Sequence, residues 1–403
     1  MTDAVRLKWL LSESDVRAGE AAEKLPLLSV SISWGVRRRE ASDTTTRAAS
    51  EDLSNYKVCR AGNLVINRMR AFQGALGIAG EDGIVSPDYA VLQVAPEVDA
   101  RWLNYFLTSE ATVAAMSSLV RGIGGTEAGN VRTPRLNISD LLSMTAPLEP
   151  VTQQRAIADY LDRETARIDM LIEEQQRLIG MLRERRWAVV ERGVALLDWS
   201  TPFKAVAVLI QTGPFGSQLK SDEYEDGGMP VINPSHLVAG EIVPDSRIAI
   251  SFDKARELAR HALKEGDLIA ARRGELGRCA VVRASSSGFL CGTGSALIRL
   301  NVDVIDPAFA AIVFSSRRNR DALALASVGS TMDNLNSDII GSLRVPVPAL
   351  DEQCRLVAQL NEATAKIDSL IVETERFIEL SRERRSALIT AAVTGQIDVR
   401  EAT

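Results

Sequence analysis

Most residue patterns that mark catalytic sites are missing from this 403-residue chain. It contains no GxxxxGK[ST] loop for a nucleotide phosphate. The glycines of GIGG (122–125) lie in a polar loop and do not open a helix after a strand, so they do not fit a dinucleotide site. The chain has two histidines, His236 and His261, which offers little for histidine-based acid–base catalysis.

Two further fragments begin like catalytic motifs without completing them. NPSH (233–236) starts like the NPP-aromatic motif of amino-methyltransferases, but Ser235 and His236 replace the second proline and the aromatic residue that would stack on a base. The Pro-Asp pairs at 87–88 and 244–245 have no ExK after them, so a metal-dependent nuclease site is not indicated. These fragments therefore give no support for a catalytic site.

Cysteine spacing and net charge exclude two more kinds of site. The four cysteines are scattered without a CxxC pair, and zinc requires clustered Cys and His ligands, so we expect no metal and reduced, packed thiols. The net charge of −6 argues against a uniformly basic coat for nucleic acid. Neither residues 1–150 (16 Lys and Arg, 18 Asp and Glu) nor residues 201–350 (16 and 16) are basic overall.

Basic residues nevertheless cluster locally, and these clusters are candidates for nucleic-acid contact. The clusters are Arg37-Arg38-Arg39, Arg68 with Arg70, Arg272-Arg273 with Arg278, and Arg317-Arg318 with Arg320. Such runs are more often solvated surface than binding sites. Arginines flanked by glycine, as in ARRGELGR (271–278), are better candidates because they can approach a phosphate or a guanine edge closely.

Three glycine-containing loops complete the candidate residues. TGPFGSQLKSDEY (212–224) is explained structurally by a glycine-proline turn, but its backbone amides and the side chains of Ser217, Gln218 and Lys220 also suit a nucleic-acid backbone. VRGIGGTEAGNVR (120–132) and VGSTMDNLN (328–336) occupy equivalent places in the chain, and the alternative for each is a plain surface turn. These two loops contribute Arg121, Arg132, Ser330 and Thr331.

An internal repeat reveals the elements that must position these residues. ARIDMLIEEQQRLIGMLRERR (166–186) and AKIDSLIVETERFIELSRERR (365–385) match at a shift of 199 positions, which indicates a duplication. Apolar residues fall on alternating three- and four-residue steps in both copies, so each copy predicts a long helix with a heptad seam. The predicted seam residues are Leu161, Ile168, Leu171, Leu178, Ile367, Leu370 and Phe377.

Connectivity predicts how the two helices pack. Each would run for about 40 residues, hence roughly 60 Å, and a domain of ~150 residues between them is too compact to carry the chain comfortably back along that length. The helices should therefore be antiparallel, with one domain at each end of a rod. A weaker echo between residues 58–80 and 263–282 suggests that the duplication includes the domains.

The predicted fold class is α+β, with two mixed, mainly β domains separated by two long antiparallel coiled-coil helices in a pseudo-twofold repeat. We expect the first domain at residues 1–150, the central helix at 151–195, the second domain at 196–348 and the C-terminal helix at 349–403.

No apolar run is long enough for a transmembrane helix, and the N-terminus lacks a basic region and a cleavage site. We expect a cytoplasmic protein.

Several motifs in order resemble one known family. TGPFGSQLK, GGMPVINPSHL, GDLIAARRGELGR and PVPALDEQCRLVAQL resemble the specificity (S) subunit of type I restriction–modification systems. PLEPVTQQRAIADYLDRE resembles the central conserved region of that family. The resemblance covers essentially the whole chain, but the first domain departs from the family before about residue 58 and lacks a GPFG-type loop.

The resemblance implies a function for the architecture. Each domain would be a target-recognition domain that reads half of a bipartite, asymmetric sequence in double-stranded DNA, and the helices would set the spacer between the halves. The helices would also dock two modification (methyltransferase) subunits, beside restriction subunits that translocate and cleave DNA. S-adenosylmethionine, ATP and Mg would then be bound by the partner subunits and not by this chain.

Two other functions stay open at this point. One is a degenerate DNA methyltransferase, which the absent NPP-aromatic motif disfavours. The other is a coiled-coil protein adaptor without DNA specificity, which leaves two large domains with glycine-flanked arginines unexplained. For the favoured function, the predicted DNA-binding residues are Arg37, Arg38, Arg68, Arg70, Arg121, Arg132, Ser217, Gln218, Lys220, Arg272, Arg273, Arg278, Ser330 and Thr331.

Overall fold

The computed structural model describes residues 4–40, 52–120, 135–327 and 335–399. The chain divides into two compact units, of which unit 1 contains Met1–Gln176 with Glu375–Thr403 and unit 2 contains Arg177–Thr374. Residues 4–150 of unit 1 are termed head 1, and residues 195–349 of unit 2 are termed head 2. The two long helices contribute to both units.

Head 1 combines a four-stranded sheet with short β-pairs and helices. Its strands are β1 (Ala4–Arg6), β2 (Leu11–Ser14), β3 (Leu28–Ser31), β4 (Gly35–Arg38), β5 (Lys57–Cys59), β6 (Leu64–Asn67), β7 (Leu76–Ile78), β8 (Gly83–Val85), β9 (Tyr89–Val94) and β10 (Thr145–Pro147). Its helices are α1 (Ala100–Thr108), α2 (Glu110–Ser118) and α3 (Ile138–Ser143). The main sheet has the strand order β2-β9-β6-β7, and every neighbouring pair in it is antiparallel.

Between the heads in sequence runs the first long helix, α4 (Val151–Val194). Head 2 then has the strands β11 (Thr201–Pro202), β12 (Ala207–Thr212), β13 (Tyr224–Glu225), β14 (Met229–Ile232), β15 (Leu237–Val238), β16 (Glu241–Ile242), β17 (Ala249–Ile250), β18 (Leu268–Ala271), β19 (Cys279–Val281), β20 (Leu290–Cys291), β21 (Ser295–Leu300) and β22 (Arg344–Val345). Its helices are α5 (Phe252–Glu257), α6 (Pro307–Phe314), α7 (Arg317–Ser327) and α8 (Ser337–Ser342), and α9 (Leu350–Val393) follows.

The main sheet of head 2 repeats that of head 1. Its order is β12-β21-β18-β19, again antiparallel throughout, so each strand has a counterpart in β2-β9-β6-β7. In both heads a helix packs against this sheet and forms the main core, with Trp102 buried in head 1 and Phe309 and Phe314 buried in head 2. The weak echo between residues 58–80 and 263–282 thus corresponds to equivalent strands.

A buried glutamine joins each head to the start of a long helix in the same way. The Gln154 side chain accepts a hydrogen bond from the backbone N of Asp99 (2.8 Å) and donates to the carbonyl of Glu149 (2.7 Å). Gln353 accepts from the backbone N of Asp306 (2.8 Å) and donates to the carbonyls of Pro348 (2.8 Å) and Val304 (3.0 Å). Asp99 and Asp306 in turn cap α1 and α6. The repeat therefore extends to individual hydrogen bonds.

Within each unit the two long helices run antiparallel. In unit 2, Arg186 contacts Asp368 (2.6 Å), and a Cβ placed on Gly193 would meet Leu360, so later residues of α4 lie beside earlier residues of α9. In unit 1, Arg385 contacts Asp169 (3.0 Å). The two ion pairs are equivalent at the shift of 199 positions. The last arginine of each RERR segment thus bridges the two helices.

The helix seam differs from the predicted one by one residue in the middle of each helix. Leu161, Ile168 and Ile367 are buried as predicted, and Leu178 is partly buried. The other predicted seam residues, Leu171, Leu370 and Phe377, are exposed, while Ile179 and Ile378 are buried in their place.

Two buried threonines are the physical reason for this correction. Thr165 and Thr364 occupy seam positions, and their hydroxyls donate to the carbonyls of Leu161 (2.7 Å) and Leu360 (2.9 Å). A hydroxyl satisfied within its own helix can be buried at low cost. Without these threonines the four-then-three order of the seam is lost, so the step after Ile168 and Ile367 is taken as three, to the exposed Leu171 and Leu370, when it should be four.

In the parts of the chain that the structure describes, no helix is both long enough and apolar enough to cross a bilayer. The same parts contain no cluster of His, Cys, Asp or Glu that could hold a metal ion. Cys59, Cys279 and Cys291 are buried, and burial raises the pKa of the Cys59 thiol to about 11 and of the Cys279 thiol to about 12. Cys354 is exposed.

Candidate nucleic-acid interface

The predicted contact residues of head 2 converge at one edge of its main sheet. β12 and β18 both pair with β21 in the antiparallel sense, so both end where β21 begins. The GPFG loop follows β12, the glycine-flanked arginines follow β18, and a Gly-Thr-Gly segment (292–294) precedes β21. We term this the loop edge of head 2. In head 1 the equivalent loop edge lies where β2 and β6 end and β9 begins.

Glycines bring the loops of head 2 into backbone contact. A Cβ on Gly213 would lie 1.9 Å from the carbonyl oxygen of Gly292, and a Cβ on Gly292 would lie 2.4 Å from the side-chain oxygen of Asn233. The backbone N of Gly292 donates to the carbonyl of Ile232 (2.9 Å), where β14 ends. Only glycine fits at these two positions without a shift of backbone, so GPFG and NPSH are parts of one packed surface.

Arg273 and Phe215 project from this packed surface. Arg273 is exposed, and its Nε lies 2.8 Å from where a Cβ of Gly294 would be. Phe215 is 62% exposed although Pro214 beside it is buried. Lys220 is exposed a few residues later in the same loop. An arginine, a lysine and an aromatic side chain above a rigid backbone suit contact with phosphates and bases.

Arg68 and Arg272 are equivalent residues that hold the chain leading into α3 and α8. The Arg272 carbonyl accepts a hydrogen bond from the backbone N of Leu335 (3.0 Å), and the Arg272 Nε donates to the Leu335 carbonyl (2.6 Å). The Arg68 carbonyl likewise accepts a hydrogen bond from the backbone N of Leu136, and the Arg68 Nε donates to the Leu136 carbonyl over a longer distance (3.4 Å). Burial lowers the pKa of Arg272. Both arginines therefore position the chain on one side of the loop edge.

The remaining predicted arginines have partners within the protein. Arg38 forms two hydrogen bonds to Glu81 (2.7 and 2.5 Å), and Arg278 contacts Glu275 and the carbonyl of Pro234. The guanidinium of Arg37 stacks on Trp34 at 4.0 Å from the ring centroid. Arg38 and Arg278 would have to exchange these partners for phosphate, which makes Arg273 and Arg70 the less constrained candidates. All of them stay predictions.

Several predicted residues cannot be placed. Arg121, Arg132, Ser330 and Thr331 lie outside the described residues, as does most of the loops to which they belong. The side chain of Ser217 is likewise outside what the structure describes. Gln218 is partly buried, and its side-chain oxygen has no hydrogen-bond partner among the described residues.

The two histidines lie near this surface but in structural roles. His236 is buried, and its Nδ1 accepts a hydrogen bond from the backbone N of Asn233 (3.2 Å) within the NPSH turn. His261 is also buried, with the Gln211 amide 2.8 Å from its Nδ1, and burial lowers the pKa of His261. Both fit the expectation of packed histidines better than a catalytic role.

Head 1 has a cleft at its loop edge that was not predicted from the sequence. The cleft has a volume of about 860 Å³ and is lined by β3, the turn after it, and the ends of β6 and β9. Asn67, where β6 ends, and Tyr89, where β9 begins, lie in its wall. One signal for it is present in the sequence: LSVSIS (28–33) alternates apolar and serine residues, and strand geometry places Ser29 and Ser31 on one face.

Comparison with known protein families finds a match, which lies within the second half of the chain. Residues 213–374 match the family described as Type I restriction modification DNA specificity domain. The match begins at Gly213 and contains the whole loop edge of head 2. It confirms the resemblance that the GPFG, NPSH and ARRGELGR segments indicated.

Individual relatives match over longer stretches at low identity. The type I restriction enzyme EcoKI specificity subunit of Escherichia coli strain K12 is 24% identical over 304 residues, which are 70% of this chain and 64% of that protein. The StySPI specificity subunit of Salmonella potsdam is 22% identical over 213 residues, or 52% of this chain and 45% of that protein. The chain thus spans about half to two thirds of the length of these curated relatives.

A solved structure shares the fold over nearly the full length. It is described as the structural basis of complex assembly and conformational transition of the type I R-M system, and it matches with a TM-score of 0.64 at 15% identity over 97% of both chains. At this identity the likeness concerns the fold. It confirms the predicted α+β class with two heads and two long helices.

Proposed function

We propose that this chain, which contains a type I restriction–modification DNA specificity domain, is the DNA-recognition subunit of a type I restriction–modification complex. Each head would read one half of a bipartite site in double-stranded DNA, and the long helices would fix the separation of the halves. The observation that carries this proposal is the repeated loop edge. The family match covers it in head 2, and the equivalent edge of head 1 is built from the corresponding strands.

The electrostatics of the heads favour recognition at these edges over general attraction to DNA. Neither head is basic overall, so nonspecific phosphate binding would be weak and specificity must come from local contacts. We expect Arg273 and Lys220 to contact phosphates or guanine edges from head 2, and Arg70 to do so from head 1.

Two equivalent sets of exposed apolar side chains support the docking of two identical partners. Unit 1 exposes Leu171, Phe377 and Leu380, and unit 2 exposes Leu370 and Met181 at the equivalent positions, with Leu178 partly buried. Exposed apolar side chains on a helix whose own seam is already buried are typical of a protein interface. We propose that each set binds one methyltransferase subunit, with restriction subunits attached to the same complex.

The chemistry of the complex would belong to its partner subunits. We propose that this chain is non-catalytic and binds no cofactor, and that S-adenosylmethionine, ATP and Mg are bound elsewhere in a cytoplasmic complex that acts on the chromosome and on invading DNA. The incomplete NPSH motif supports this, because Asn233, Pro234 and His236 serve the backbone packing of the loop edge.

A map of N6-methyladenine in the host genome tests the DNA-recognition proposal. Deleting the gene should abolish methylation at one bipartite motif and leave all other methylated motifs unchanged, because the methyltransferase cannot find its site without this chain. Re-expression should restore that motif alone. An unchanged map in a host whose partner methyltransferase is expressed would favour the adaptor function, and S-adenosylmethionine binding by the isolated chain would favour the degenerate methyltransferase.

Charge introduced into the two apolar sets tests the docking proposal. Met181→Glu and Leu380→Glu occupy equivalent positions, so each should remove one methyltransferase subunit by burying a charge in an interface, with a loss of affinity of at least about tenfold. Native mass spectrometry of the assembled complex should show one subunit lost from each single variant and both lost from the double variant.

Met170→Glu provides a matched control for these variants. Met170 is exposed on α4, but its equivalent in the repeat is Ser369, so it does not belong to the repeated set. The control should assemble like the unmodified chain. Full assembly of the double variant would contradict the docking proposal.

A further inference from the structure

The cleft of head 1 has a polar floor without an internal partner. Ser29 on β3 lines the cleft and is 3% exposed, yet its hydroxyl has no hydrogen-bond partner among the described residues. A buried hydroxyl without a partner destabilises the fold, and most native structures avoid it. The hydroxyl has almost no surface of its own in the cleft, so it reaches a ligand there by rotation of the short Ser29 side chain about χ1.

A row of serines leads from this floor to the mouth of the cleft. Ser29 is buried, Ser31 is partly buried and Ser33 is exposed, and all three line the cleft. The hydroxyls of Ser31 and Ser33 lie 3.0 Å apart. Each serine hydroxyl can donate and accept, so the row offers both kinds of hydrogen bond along one wall.

The walls provide flat aromatic surface. Trp34, Tyr56 and Tyr89 all line the cleft, and the Arg37 guanidinium lies over the ring of Trp34. Burial raises the pKa of Tyr89, while the nearby cations Arg39 and Arg70 act in the opposite direction. The tyrosine is therefore neutral at physiological pH and contributes an apolar ring to the wall.

The charged groups of the cleft do not select a simple anion. Arg39 and Arg70 line it, but so do Asp52 and Asp88, and Asp88 contacts Arg135 (2.9 Å). A phosphate site would concentrate donors and exclude carboxylates. Mixed donors and acceptors between aromatic walls suit a planar heteroaromatic ring that has both kinds of group on its edge. A nucleobase has this chemistry.

We propose that the head 1 cleft holds one nucleobase rotated out of the stack of the half-site, with the Ser29 hydroxyl hydrogen-bonded to its edge. This rests on the proposed function of the chain in DNA recognition. In an intact duplex the base edges lie at the floor of a groove, so a concave protein surface cannot reach them. A base that leaves the stack can enter the cleft, and its faces then lie against aromatic side chains instead of neighbouring bases.

Ser29→Ala should weaken DNA recognition without lowering the stability of the chain. Removing a hydroxyl that has no partner should leave the melting temperature of the free chain unchanged or slightly higher. In the assembled methyltransferase complex, the same change should weaken binding to a duplex carrying the methylated motif by about 5- to 10-fold, because one hydrogen bond to the base is lost. In the N6-methyladenine map, the methylated motif should accept more than one base at one position of one half-site, while the other half-site stays unchanged.

Thr390→Val is the matched control. The Thr390 hydroxyl on α9 is also buried without a described partner, but it lies outside the cleft. This variant should bind DNA and methylate the same motif as the unmodified chain. If both variants weaken DNA binding equally, or if Ser29→Ala keeps the motif and affinity unchanged, the cleft has no part in recognition. The deletion experiment above would still support the proposed function in that case.

Two further measurements test the state and the source of the base. 2-Aminopurine substituted at the relaxed position should brighten when the unmodified complex binds, since fluorescence rises on unstacking, and should brighten less with Ser29→Ala. No brightening with the unmodified complex would overturn the rotated base.

Free nucleoside monophosphates should compete with the duplex weakly. If they bind the isolated chain as tightly as the duplex binds the complex, the cleft is a small-molecule site and the proposal fails.

Discussion

Gln353→Ala is expected to loosen unit 2 while unit 1 keeps its stability. The substitution leaves the backbone N of Asp306 and the carbonyls of Val304 and Pro348 without partners in a buried setting. Unsatisfied buried groups cost about 1–3 kcal/mol each, so the loss of three partners should lower the free energy of unfolding of unit 2 by at least about 3 kcal/mol. Hydrogen–deuterium exchange should accelerate at the start of α6 and of α9.

Gln154→Ala is the internal counterpart of this variant. It should accelerate exchange at the start of α1 and of α4 in unit 1, because Gln154 makes the same hydrogen bonds to Asp99 and Glu149. Gln176→Ala, an exposed glutamine on α4, should change neither unit. If hydrogen–deuterium exchange in Gln353→Ala matches that of the unmodified chain, water replaces the side chain at little cost and the glutamine does not join the head to the helix.

The repeat made the helices and their pairing predictable from sequence. A shift of 199 positions aligned Gln154 with Gln353 and the two RERR segments, and the structure shows these residues in equivalent contacts. Apolar periodicity was less informative in the middle of the helices. Thr165 and Thr364 occupy the seam shortly before that point and set its four-then-three order, and a pattern that counts only apolar residues cannot include a hydroxyl satisfied by its own helix.

The loop edges were predictable as motifs but not as surfaces. Glycine-flanked arginines and the GPFG segment drew attention to the correct region of head 2, yet their roles differ: Arg272 holds Leu335, while Arg273 next to it is exposed. Adjacent residues after a strand point in different directions, and composition cannot distinguish them. The head 1 cleft depends on residues from β3, β6 and β9 that lie far apart in sequence, so only the fold brings Ser29 near Tyr89.

Gly213→Ala is expected to abolish recognition by head 2 while head 1 keeps its half of the site. The new Cβ would lie 1.9 Å from the carbonyl oxygen of Gly292, and since both are backbone positions no side-chain rotation can relieve the contact. Forced overpacking typically costs about 1–3 kcal/mol. The GPFG loop and the Gly-Thr-Gly segment must then separate, which displaces Phe215 and Arg273 together. Binding of the assembled complex to its motif should weaken by more than about tenfold.

Gly216→Ala in the same motif distinguishes close packing from backbone strain. Gly216 has a φ of +64° and open space around its Cβ position, so alanine there meets only the left-handed conformational penalty of roughly 1–2 kcal/mol. It should lower stability locally without moving Gly292, and the methylated motif should persist. If Gly213→Ala retains the affinity for DNA and the methylated motif while Gly216→Ala loses both, the loop recognises DNA through its tip at Gly216. The contact between the two glycine segments would then not be the feature that holds the loop edge together.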